Sequence, residues 1–281
     1  MQDKFEKNIS NWKIPALLSK KDAWEMVNKK ISLLNEKQNK TTKILPLFSQ
    51  RTVWVSMAAS IALILSMVFI LGQNNVYTIE ANYGEKERII LPDGSSVVLN
   101  AGSSLSFDKK NFNKNRTLEL KGEGFFHVEK GSTFSVRSDK GKVIVLGTSF
   151  NIYDRGGIYR VSCETGKVKV EQGTTVQFLT EGLKTESLGN DLKEPVPCDV
   201  NTIKDWFEID TYHFENVSLT IVFQELERQF NIKNDLEEVP SDLVNADVRL
   251  KNIDTTLDII CSTFGLEFRS LSNDHYVISK K

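Results

Sequence analysis

Hydrophobic and polar positions change rhythm four times along this chain of 281 residues. Between Ser19 and Leu34 the apolar side chains Trp24, Val27, Ile31 and Leu34 recur at helical spacing. Lys20, Lys21, Lys29 and Lys30 stand opposite, and Ser19 and Asp22 offer caps. That pattern predicts one amphipathic helix. From Val53 to Gly72 the polar positions vanish, because "VWVSMAASIALILSMVFILG" is twenty residues without a charge. Over 76–180 the period becomes two. Arg116, Leu118 and Leu120 alternate with Thr117 and Glu119, and Phe134/Val136, Phe150/Ile152, Val168/Val170 and Val176/Phe178 repeat the scheme. Turn signals at Asp93-Gly94, Asp139-Lys140-Gly141, Gly156-Gly157, Thr165-Gly166 and Gln172-Gly173 punctuate it. Short alternating strands with such punctuation predict an all-β domain, either a sandwich, a barrel or a short solenoid.

Residues 181–205 lose periodicity and hold Pro195 and Pro197, so they read as a linker. From 206 to 281 the helical period returns. Leu219, Val222, Phe223, Leu226 and Phe230 form one stripe behind Ser218 as N-cap. Leu257, Ile260, Cys261 and Phe264 form a second, capped by Asp254 and stopped by Gly265. Asn216-Val217-Ser218 and Asn252-Ile253-Asp254 precede the two stripes, a weak internal repeat that predicts two βαβ-like halves. A last hairpin turning at Ser272-Asn273-Asp274 closes a small α+β domain. Compact modules of this kind bind proteins or peptides along a sheet edge.

The uncharged run changes the picture most. At about 1.5 Å per residue it spans roughly 30 Å, the thickness of a bilayer's hydrocarbon core. Ten of its residues are Leu, Ile, Val or Phe, which totals about −3 to −6 kcal/mol on the insertion scale. A buried core helix would keep a polar face over five turns, and a signal peptide would begin at the N-terminus with a shorter run. A membrane anchor is therefore expected over 53–72. Lys37, Lys40, Lys43 and Arg51 precede it, whereas Glu80 and Glu85 follow before any base appears at Lys86. Positive-inside then places the N-terminus in the cytoplasm and residues 73–281 outside it. Charge splits the same way: residues 1–52 hold eleven Lys or Arg against five Asp or Glu, and the remainder holds 25 against 32.

Little in the chain points to chemistry. "IILPDGSSVVLN" (89–100) reads as a hairpin, with Pro92 setting φ and Gly94 tolerating φ > 0. No Walker loop and no G-x-S-x-G occurs. His127, His213 and His275 show no metal-ligand spacing. Glu119 and Glu123 read as a solvated face and a turn contact rather than a catalytic pair. Cys163, Cys198 and Cys261 are odd in number and lack a CxxC. Cys163 and Cys261 read as core residues, with a Cys198–Cys261 bridge left open. Neither enzyme, metal nor cofactor is implied. The head holds too few helices for a helix-turn-helix, which argues against direct nucleic-acid binding. Its lone helix docks on a cytoplasmic protein, lies on the membrane surface, or is loosely folded.

"LPDGSSVVLNAGSSLSF" (91–107), Arg116, "LKGEGFFHVEK" (120–130), "VLGTSFNIY" (145–153) and "TGKVKVEQG" (165–173) occur in this order. Together they resemble the periplasmic domain of FecR-type anti-sigma regulators of Bacteroidetes. "FENVSLTIVFQELERQFNIK" (214–233) is similar to the domain that ends those regulators, itself like the signalling domains of TonB-dependent transducers. Trp12 and "SKKDAWEMVNKKI" (19–31) resemble their short cytoplasmic segment. The resemblance implies a single-pass inner-membrane protein with four parts. They are a helical cytoplasmic head (1–50), one transmembrane helix (53–72), a sandwich- or solenoid-like periplasmic domain (76–180) and an α+β domain (206–281) after the linker (181–205). It implies that Trp12, Trp24, Val27, Ile31 and Leu34 hold an extracytoplasmic-function (ECF) sigma factor. It likewise implies that Phe214, Leu219, Phe223 and Arg228 meet an outer-membrane TonB-dependent receptor. His127 stands where relatives carry Glu, Gly124 where they carry Ala, and no proline precedes Phe134. The competing reading is an anchored periplasmic module for glycans or an envelope protein, with no signalling head.

Overall fold

The computed structural model describes residues 19–38, 50–72, 76–189, 191–237 and 240–281. It divides into two compact units, Met1–Phe69 and Ile70–Lys281. In the first, α1 (Lys20–Gln38) begins where predicted. Ser19 Oγ donates to Asp22 Oδ2 at 2.8 Å and accepts from the Asp22 backbone N–H at 3.3 Å, satisfying a free N-terminal donor. A second helix, α2 (Gln50–Gly72), carries the uncharged run without a break. Among the described residues no helix is long and apolar enough to cross a membrane. In α2 the described side chains are those of Trp54, Val55 and residues 57–67, a stretch shorter than the ~20 residues a crossing needs.

The second unit begins with β1 (Val76–Ala81), β2 (Glu87–Ile90), β3 (Ser96–Leu99), β4 (Ser103–Asp108) and β5 (Arg116–His127). It continues through β6 (Phe134–Arg137), β7 (Lys142–Val145), β8 (Ser149–Arg155), β9 (Ile158–Thr165), β10 (Lys167–Gln172) and β11 (Thr175–Thr180). With β12 (Leu183–Leu188) and β13 (Val196–Pro197), these thirteen strands form one hydrogen-bonded sheet. The sheet folds over itself at β5. Up to Lys121 this long strand pairs with β4 and β6, and from Gly122 onward it pairs with β8 and β3. The switch needs glycine: Gly122 has φ +98°, and a Cβ there would lie 2.7 Å from Ser103 Oγ. The two layers enclose one core, in which Phe126 stacks on Phe150 at 5.1 Å and Phe112, Phe134, Leu118 and Leu120 are fully buried.

The predicted hairpin is present, with Gly94 at φ +86° between β2 and β3. Its turn is pinned from below. Arg116 Nε donates to Asp93 Oδ2 at 2.6 Å, and its Nη atoms donate to the Ser132 and Glu129 carbonyls.

The stretch read as a linker contains β12, which pairs with β9 along its whole length. Its buried side chains are Thr185 and Ser187, small and polar, so no hydrophobic alternation announced it. Leu192 also turns into the core.

After a 3-10 turn (Val200–Ile203) come α3 (Asp205–Glu208), β14 (Thr211–Ser218), α4 (Leu219–Phe230) and β15 (Lys233–Glu237). The matching half is β16 (Leu243–Arg249), α5 (Ile253–Thr263) and β17 (Leu266–Ser272), with β18 (His275–Lys280) closing the predicted hairpin. β14 pairs with β16, while β15 and β17 flank β18. Ser218 caps α4 as expected, and Asn231 ends it at φ +51°. The cap of α5 is Asn252 and not Asp254. Asn252 holds extended backbone angles and its Oδ1 accepts from Asp254 and Thr255, so Asp254 already lies in the first turn.

This α+β part packs on the outer face of the β8–β9 layer. Val98, Phe125 and Ile158 point away from the sheet's own core and join Trp206, Phe214, Val222, Phe223 and Leu226 in a second one. Consecutive Phe125 and Phe126 are thus both buried, one in each core. Cys163, Cys198 and Cys261 are all free.

Candidate functional site

On α1 the predicted stripe lies open. Trp24 is 65%, Val27 43%, Ile31 47% and Leu34 58% exposed. Four large apolar groups on one helical face form the kind of contiguous patch that marks a protein contact. Trp12 lies outside the described residues.

The four residues expected to meet a transducer are placed differently. Phe214 on β14 and Leu219 and Phe223 on α4 are buried in the second core. Arg228 on α4 lies in a buried polar cluster. Their side chains fix α4 against the sheet instead of facing solvent.

That cluster joins the two halves of the body. Glu225 on α4 accepts from Arg155 Nη1 at 3.3 Å and from Arg228 Nη2 at 2.7 Å. Gln229 Nε2 donates to Glu225 Oε1 at 2.7 Å and to Asn100 Oδ1 at 2.8 Å. Tyr212 O–H donates to the same Asn100 oxygen at 3.1 Å. From the sheet side, Asn100 and Asn151 donate to the two carboxyl oxygens of Glu123 at 2.8 and 2.9 Å. Arg155, at the end of β8, also donates to the Ala101 carbonyl and to Ser103 Oγ. Residues from the β3–β4 turn, β4, β5, β8, β14 and α4 therefore share one network. Glu123 is buried within it on β5, where a turn contact was expected.

The two buried carboxyls shift in opposite senses. Desolvation raises Glu123, with nearby Glu225 adding to it and Arg155 opposing. Desolvation also works to raise Glu225, but Arg155 and Arg228 outweigh it and hold that carboxyl below its usual value. A divergent pair of acids can serve catalysis. Here both are walled in by protein donors, and the adjoining cavity of about 110 Å³ has the volume of a few waters. The arrangement suits a joint between domains.

A second contact lies beside it. His213 on β14 bridges Asp205 on α3, at 2.9 Å, and Asp247 on β16, at 2.6 Å. Burial disfavours the imidazolium, yet the two aspartates prevail and raise its pKa. Sequence reasoning missed Asn100, Glu123, Arg155, Gln229 and this role of His213. No spacing announces them, since their partners lie up to 129 residues apart.

Residues 77–169 match the family model described as "FecR protein", and residues 211–278 match "FecR, C-terminal". Together they take in more than half of the chain. Two crystal structures of a proposed anti-sigma factor from Parabacteroides distasonis, at 2.50 and 1.65 Å resolution, are similar to it. The TM-scores are 0.68 and 0.67, each at 27% identity, covering 73% of this chain and 99% of theirs. No curated protein matches the chain.

Proposed function

Since the chain belongs to the FecR family of anti-sigma factors, we propose that it holds an ECF sigma factor at the inner membrane under the control of an outer-membrane TonB-dependent transducer. The observation that carries the reading is the open face of Trp24, Val27, Ile31 and Leu34 on α1. A single amphipathic helix gains its stability from whatever covers its apolar side. A sigma factor supplies that cover. In this reading part of the head folds on its partner.

In this proposal α2 is the anchor. Its 23 residues rise about 35 Å, and its uncharged stretch is flanked by bases on the N-terminal side. That leaves the head in the cytoplasm and the body in the periplasm. The body works by protein contact, without chemistry. A transducer pressing on the α+β part moves α4, and α4 is tied to β8 and the β3–β4 turn through Glu225, Gln229, Arg155 and Asn100. Displacement at one end thus reaches the sheet that leads back to the anchor.

Full-length protein purified in detergent is expected to retain a sigma factor, and Trp24→Ala to release most of it. If no sigma factor accompanies the full chain and deletion of residues 1–50 leaves target transcription unchanged, the reading is wrong. Replacing residues 1–50 with an unrelated basic segment separates it from the plain envelope-binding module, which tolerates the exchange.

A further inference from the structure

The outer face of β7, β10 and β11 has no part in the joint, the cores or the head. Phe178 on β11 is 68% exposed, Val176 42%, and Leu146, just after β7, 62%. The ladder sets them in rows: Phe178 beside Lys169 beside Ile144, and Val176 beside Glu171 beside Lys142. A shallow groove of about 680 Å³ runs here, walled by Ile144, Leu146 and Phe178 and rimmed by Lys130, Lys167 and Lys169. Residue 147 is glycine, and a Cβ there would come within 2.8 Å of the Lys130 Cα, so the backbone after β7 packs closely against Lys130. Among the described strands β11 pairs with β10 alone, so its other edge carries free backbone donors and acceptors.

Charge says what fits. Residues 206–281 carry fourteen Asp or Glu against seven Lys or Arg. This face departs from that acidic character: four lysines, at 130, 142, 167 and 169, surround its apolar groups. Glu171, the acid in the same rows, is already paired with Lys169 at 2.6 Å. We propose that the β7–β10–β11 face is a docking site for an acidic, extended segment of a partner protein. The segment adds to the β11 edge, sets alternate apolar side chains into the groove and presents its carboxylates to the lysine rim. Backbone pairing supplies affinity, and the alternate pockets and charges supply selectivity. This site does not depend on the anti-sigma reading.

The test uses the body from residue 76 onward, which lies within one compact unit, and a synthetic alternating Glu-Val peptide as probe. Binding is expected to shift backbone amide resonances of β10 and β11 and to leave those of α4 and α5 in place. Lys169→Glu should weaken binding about tenfold or more and make the Lys-Val counterpart the better ligand. Phe178→Ser should weaken both peptides similarly. Both side chains face outward, and an unchanged melting temperature checks that the fold survives. Absence of amide shifts with the acidic peptide at about millimolar concentration overturns the proposal. Two other outcomes overturn it as well. One is binding of phosphatidylglycerol vesicles that Leu146→Ser abolishes while the peptide stays unbound. The other is a concentration-dependent dimer that Phe178→Ser dissolves, which gives the face to a second copy.

Discussion

Helices α1 and α4 are written in the same code and end in opposite circumstances. Trp24, Val27, Ile31 and Leu34 on α1 recur at the helical period, as do Leu219, Val222, Phe223 and Leu226 on α4. The second set is fully buried, whereas the first is 43 to 65% exposed. Periodicity therefore specifies that a helix has an apolar face, and says nothing about whether its cover is in the same chain. On α4 the cover is the β8–β9 layer and the strands around it. On α1 the proposed cover is another protein.

The sharpest way to break this comparison is at the joint that α4 makes. Glu225→Ala leaves Arg155 and Arg228 buried without their shared counter-charge, so a loss of about 3–5 kcal/mol is expected in urea unfolding. Replacing Arg155 by Met and Glu225 by Leu together should recover part of that loss, because of the two orphaned guanidiniums only Arg228 then remains. A double mutant as unstable as the single one would show that the bonds, and not the orphaned charge, matter.

Next in size is a matched pair of truncations. Phe223→Ala opens a cavity in the second core, and about 3–5 kcal/mol is expected to go. Trp24→Ala should change stability by no more than about 0.5 kcal/mol, yet weaken sigma-factor binding by about 2 kcal/mol or more. Isothermal titration beside denaturant melts reads both numbers. Equal stability losses would mean that α1 is covered from within.

A smaller effect should come from His213. Its folded-state pKa lies above the ordinary value, so its contribution to stability is complete below about pH 6.5 and fades as pH rises through the raised value. His213→Gln is thus expected to cost more stability at about pH 5.5 than at about pH 8.5. A cost independent of pH would remove the imidazolium bridge to Asp205 and Asp247 from the account. Smallest of all is the change expected at the cysteines. Burial pushes the Cys163 thiol up to about 12 and the Cys261 thiol up to about 11. Near neutral pH both should resist alkylation in the native protein and react on unfolding, as mass spectrometry would show.

Much of this was legible before any coordinates. The Gly94 hairpin, the Ser218 cap, the two helices of the α+β part and its last hairpin all follow from local patterns, because each rests on neighbours a few residues apart. β12 escaped because its inward groups are Thr185 and Ser187, which look like surface. Glu123 escaped because a carboxylate after glycine reads as a turn contact until Asn100 and Asn151 are seen to hold it within β5. The cap of α5 was misread by two residues, since Asn252 and Asp254 are both good caps and the backbone angles choose between them.

What the sequence determined by itself is the order of parts: a basic head with one amphipathic helix, an uncharged run, alternating strands and a helical repeat. Each is a matter of side-chain polarity repeating at the period of a backbone conformation, which any short stretch carries within it. Tertiary structure alone decided that Phe125 and Phe126 serve different cores, that Glu225 meets Arg155, and that β11 ends the sheet with its edge free. Those facts depend on contacts between residues far apart in the chain, and such contacts exist only once the chain has closed on itself.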